Sequence, residues 1–263
     1  MKRFGTSLLA LALLLAGTLP LAAAQKGAGP KAPPAGEEDN ARHYARCMAL
    51  AQEKPTEGWE ESLAWAGLGG GAPAKHCGAV ALIGLKQYGE AATRLETLAR
   101  TGHEKAGLRA GMLAQAGQAW LLEGAPERAY AAQTAALALT PGAPDLLVDR
   151  AETQAALKNY KGALADLDQA LAGAPNRADA LVFRAAAKRY LDDLKGARID
   201  IDRALVIAPT NADGWLESGI LKRLSGDKKG ARADWMKVLD LAPDSPAGDV
   251  ARRNMELLDV SDR

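Results

Sequence analysis

Histidine is nearly missing from this chain. Among 263 residues there are three, His43, His76 and His103. No serine–histidine–acid order can be built from them, and no other catalytic constellation stands out, so the residues point away from an enzyme. A dominant charge is lacking too, with 33 Lys and Arg against 32 Asp and Glu. That balance removes any general pull toward nucleic acid or anionic lipid. Aromatic residues make up only 5%. Alanine takes many places where larger apolar side chains would sit, which suits helices packed closely together. Glycine is dense at one point: Gly67-Leu68-Gly69-Gly70-Gly71-Ala72 matches the G-x-G-x-x-A dinucleotide fingerprint. That motif needs a strand before it, and here a helical stretch with Trp59 and Trp65 precedes it. No Lys-Ser or Lys-Thr pair follows, so it is not a phosphate loop either, and no cofactor is implied. The acidic pairs Glu60-Glu61 and Asp192-Asp193 read as solvated helix-surface and turn charges.

An apolar run long enough to span a membrane is also lacking. Leu8 to Leu21, broken by Gly17, Thr18 and Pro20, falls short of the roughly 20 residues a spanning helix needs. With Lys2 and Arg3 before it and Ala22-Ala23-Ala24 after it, the run has the three-part layout of a secretory signal peptide. Cleavage is expected after Ala24, leaving no stable membrane anchor, and the location expected is the bacterial periplasm. No Cys follows the cut, so no lipid anchor is expected. Loss of Lys2 and Arg3 takes the formal charge from +1 to −1, since two positive charges go. Residues 25–37, rich in Gly, Pro, Ala and Lys, read as a disordered linker.

What the chain does have is a ruler. Pro141, Pro175, Pro209 and Pro243 are each 34 residues apart. A fixed period of that size marks a repeat array, whose units bury their apolar faces only by stacking. With the proline at position 32, the units are 110–143, 144–177, 178–211 and 212–245. Position 8 then holds Gly117, Ala151, Ala185 and Gly219, and position 20 holds Ala129, Ala163, Ala197 and Ala231. Small residues there let two helices approach. Turn residues fall midway, at Gly124, Lys158-Asn159, Asp192-Asp193 and Gly226-Asp227, so each unit reads helix–turn–helix. Weaker units cover 38–71 and 72–105, with an apparent insertion at 106–109, and an amphipathic helix over 246–263 caps the open end.

This pattern resembles the tetratricopeptide repeat family, with Trp215, Gly219, Ala231, Trp235 and Pro243 of the last unit in the family's places. The resemblance implies an all-α, right-handed α-solenoid that binds a protein partner, a scaffold or adaptor and not an enzyme. It further implies that the first helices line a concave groove, where a partner peptide or helix would lie. The residues it places there are Val148, Glu152, Val182, Phe183, Arg189, Tyr190, Leu216, Ile220 and Arg223, with Arg189 or Arg223 meeting a carboxylate. The Lys/Asn set by which chaperone-binding members grip a terminal carboxylate is not present at the corresponding positions. Asp145, Asp179 and Asp213 share position 2, which suits charge at a helix N-terminus or an acidic rim on the groove.

Two cysteines, Cys47 and Cys77, complete the inventory. Export would put them in an oxidising compartment, where a bridge between the first two units is expected. The alternative is a metal or redox role in which His43 and His76 join the two sulfurs.

Overall fold

The structure, a computed structural model, describes residues 35–261. The expected signal peptide and nearly all of the expected linker lie outside them. The described residues form thirteen helices and no strand. They are α1 (Ala35–Glu53), α2 (Pro55–Gly67), α3 (Gly71–Gly84), α4 (Tyr88–Thr101), α5 (Ala106–Leu122), α6 (Pro126–Leu139), α7 (Pro144–Ala156), α8 (Tyr160–Gly173), α9 (Ala178–Tyr190), α10 (Leu194–Ile207), α11 (Ala212–Leu224), α12 (Lys228–Leu241) and α13 (Pro246–Ser261). Each helix packs on the next, so the chain is an all-α helical repeat. The first helix starts at Ala35, inside the stretch expected to be linker.

The proline ruler sets where second helices stop. α6, α8, α10 and α12 end at Leu139, Gly173, Ile207 and Leu241, each two residues before its proline, because the residue preceding a proline is pushed out of the helical region. The turn inside each unit repeats as closely. Position 15 has positive φ in five successive units, at Lys86, Gly124, Lys158, Asp192 and Gly226. Glycine adopts this conformation without strain at two of the five. The next residue caps the second helix: Asn159, Asp193 and Asp227 accept from the backbone N–H of Gly162, Gly196 and Gly230 at 3.1, 2.8 and 2.8 Å.

Packing inside each unit sets a small residue on α5, α7, α9 or α11 against a large one on the following helix. Leu167, Ile201 and Trp235, all at position 24, are fully buried. A Cβ on Gly219 would collide with the Trp235 indole, so glycine is required there. The third unit departs from this scheme: Gln133 takes position 24, packs under Gly117 and is fully buried, with neither side-chain polar atom hydrogen-bonded.

In the first two units, Cys47 and Cys77 form a disulfide between α1 and α3, with Cα atoms 6.0 Å apart. Around it lie Ala51, Trp65, Ala74 and Ala81. The metal alternative fails on this geometry. Both sulfurs are bonded to each other, His43 stacks on Trp65 at 4.5 Å and bonds Glu61 at 2.8 Å, and His76 is held elsewhere.

Candidate functional site

First helices contact their next-but-one neighbours: α1 touches α3, α5 touches α7, α7 touches α9, and α9 touches α11. Second helices do not approach one another as closely. The stack therefore curves with α1, α3, α5, α7, α9 and α11 on its inner side.

Several residues expected on this face are not available there. Val148 and Val182 are only 4% and 7% exposed and belong to the core, packed between successive first helices with Ala114 and Ala185. Leu216 and Ile220 are half-buried against Trp235 and α13. Arg189 does not reach out for a carboxylate. Its guanidinium donates to both oxygens of Glu217, at 2.5 and 3.1 Å, and Glu217 is itself buried. Glu152, Phe183, Tyr190 and Arg223 are exposed. Tyr190 stacks on Tyr160 at 4.2 Å, nearly parallel, with Arg189 over its ring.

The position-2 aspartates serve the fold. Asp145 and Asp179 both accept from Arg177, and that guanidinium holds the Asp179 carboxyl below its ordinary range. Asp213 is exposed on the first turn of α11.

One cavity, of about 400 Å³, opens on the inner face between α1, α3 and α5. Close packing in the row of first helices lapses between α3 and α5, because α5 carries an extra turn. Residues 106–109, an insertion by the 34-residue count, are helical here, giving α5 17 residues where α7, α9 and α11 have 13. The walls are apolar and mostly small, with Ala41, Ala72, Pro73, Gly107, Leu108 and Met112 prominent. Its polar floor is a hydrogen-bonded row across three helices. Tyr44 Oη lies 2.6 Å from His76 Nδ1, and His76 Nε2 lies 2.7 Å from Gln115 Oε1. With Gln115 Oε1 accepting, His76 carries its proton on Nε2, and Nδ1 accepts from Tyr44. Burial raises the Tyr44 hydroxyl above its usual pKa, which keeps it a donor. Glu104 also lines the cavity, and its Oε2 is buried with no hydrogen-bond partner.

Next along the inner face stands Asp149, which accepts from the Gln118 amide at 3.1 Å. Burial pushes its carboxyl up to about 6. Gln118 and the charge of Arg177 oppose that shift, and the neighbouring charges of Glu152 and Asp145 add to it.

Sequence reasoning missed one series entirely. Asp166, Asp200 and Asp234, again 34 apart, are buried between the two helices of their units. Arg150 and Gln154 hold Asp166, Arg184 and Lys188 hold Asp200, and Ser218 and Lys222 hold Asp234, with contacts of 2.5–2.9 Å. Burial alone would raise the Asp200 carboxyl, but the bonds from Arg184 and Lys188 outweigh it and hold it low. The signal was present as a second ruler of aspartates at position 23.

No curated protein matches the sequence. Solved structures with the same fold include MamA 41-end from Desulfovibrio magneticus RS-1, 24% identical over 66% of this chain and 97% of that one, with TM-score 0.56. Pseudomonas aeruginosa PilF is 15% identical over 83% and 98%, with TM-score 0.64. YrrB, described as a tetratricopeptide-repeat protein with an unusual peptide-binding site, is 16% identical over 80% and 97%, with TM-score 0.51. At these identities they establish the fold alone. The tetratricopeptide-repeat family profile TPR_9 matches residues 118–188, and the same helix pairs, turn geometry and proline stops continue beyond that window. By profile over residues 118–188, by period and by fold, the chain is similar to tetratricopeptide-repeat proteins.

Proposed function

We propose that this chain is an exported, non-enzymatic scaffold of the bacterial periplasm that holds a segment of a partner protein against its inner face. The observation that carries the reading is the apolar cavity between α1, α3 and α5, whose polar floor is already hydrogen-bonded within itself. Such a site offers shape and apolar area, which suit another protein's side chains. Tetratricopeptide-repeat proteins commonly bind proteins, and YrrB, of the same fold, carries a peptide-binding site. Export is supported by the layout of Lys2 to Ala24 and by the disulfide, a bond that persists in oxidising compartments.

A photo-reactive amino acid placed in living cells tests this. At Leu108, on the cavity wall, it should give a discrete protein adduct that fractionates with the periplasm. At Val206, exposed on α10 of the outer face, it should give none. Equal adducts from both positions, or a cytoplasmic chain, would refute the reading.

A further inference from the structure

Sequence reasoning had the inner face offering an arginine to a partner's carboxylate; the geometry reverses that sign. The arginines along the stack are mostly spent within the chain. Arg189 is closed on Glu217, Arg177 on Asp145 and Asp179, Arg150 on Asp166, and Arg184 on Asp200. Arg223 stays exposed, but at the last turn of α11, well along the stack from the cavity.

Glu104 in the cavity wall and Asp149 further along the inner face make no ion pair within the fold, Arg177 acting on Asp149 only through its charge. Glu104 Oε2 is buried and unpartnered, tucked over Gly102, where any Cβ would collide with it. An unpaired buried acceptor carries a desolvation cost that an incoming donor relieves. Asp149 accepts from a neutral amide, and its desolvated carboxyl is pushed up to about 6. The cavity around Glu104 also has a size preference. At Gly107 and Gly111 an added Cβ would meet nothing within 4 Å, so at those two positions the α5 wall is bare backbone open to close approach. Ala41, Ala72 and Pro73 keep the opposite side low.

We propose that the segment this groove takes is cationic: an extended stretch of small apolar residues in a partner protein, carrying a lysine or arginine whose head reaches Glu104. The stem of that residue lies along Leu108 and Met112, as long basic side chains do on apolar surface. The inference rests on the reading of this face as a peptide groove.

Random peptides displayed on phage, selected against the purified, disulfide-closed protein, test both levels. Gly111→Leu and Glu104→Gln run in parallel. Leucine at 111 has room to fold, improves on glycine as a helix former and fills the cavity. The expected selection is rich in Lys and Arg among Gly, Ala and Pro. It is lost on Gly111→Leu, and the best peptide binds Glu104→Gln roughly tenfold more weakly, the scale of one charge-assisted hydrogen bond. Its affinity on the parent protein should also fall as salt rises. Peptides that Gly111→Leu blocks but that are acidic or indifferent to charge would overturn the cationic partner and leave the groove standing. Peptides that Gly111→Leu does not affect would remove the groove and the sign together. Selected peptides that copy residues 25–34, where Lys26 and Lys31 sit among Gly, Ala and Pro, would give the site to this chain's own segment and overturn the external partner.

Discussion

Arg189 on α9 is locked to Glu217 on α11 by two hydrogen bonds, so one first helix is pinned to the next across the inner face. Glu217 is only 5% exposed. Removing one member of such a pair strands a buried charge. Glu217→Ala should cost about 3 kcal/mol, while Arg223→Ala, at an exposed site, should stay within about 0.5 kcal/mol. Urea titration of the two variants measures the difference. If they lose equal stability, the pair is not a structural pin.

Gln133 should be a stabilising site. Its neighbours at position 24 are Leu95, Leu167, Ile201 and Trp235, and it alone brings an amide into the core without hydrogen bonds. Gln133→Leu removes that cost and keeps similar volume, so it should add about 1–3 kcal/mol. A lowered urea midpoint would show that the amide has a partner in solution, a buried water being the simplest.

Asp149 makes stability depend on pH in an unusual direction. Its folded pKa, about 6, lies above the ordinary 3.8. Between those values the folded state holds more protons than the unfolded one, so stability falls as pH rises from about 4 to 6. Asp149→Asn keeps the acceptor for Gln118 and should flatten that slope while raising the melting temperature at neutral pH. Melting curves at several pH values check it. A slope unchanged by the substitution would mean that Asp149 ionises freely in the fold.

Cys47 and Cys77 close a sequence separation of 30 residues. On chain entropy the bond should contribute about 3–4 kcal/mol. In a stack whose units touch only their neighbours, the loss should stay local. With both cysteines replaced by serine, amide exchange should accelerate in α1–α3 and stay near its parent rate in α7–α12. Uniform acceleration would show that the stack melts as one body.

Much of the fold was legible because its signals are local. A proline stops the helix two residues before it, and a small residue at position 8 makes room for a large one at 24, wherever the unit stands. The inner face was less legible, because accessibility there depends on how closely neighbouring helices approach. Alanines such as Ala114 and Ala185 draw the first helices together, and that closeness buries Val148 and Val182, residues a generic repeat would leave open. Arg189 was misread for a related reason: its partner is 28 residues away and belongs to the next unit. The cavity comes from a single extra turn, visible in the sequence only as a four-residue slip at 106–109.

That slip has a consequence for recognition. A strictly periodic surface looks the same after translation by one unit, so a ligand could settle on it in several frames of nearly equal energy. The longer α5 breaks the translation at one place and puts a cavity there. A bound segment that fills the cavity can then be aligned in only one frame, and its remaining contacts along α7, α9 and α11 are indexed from that point.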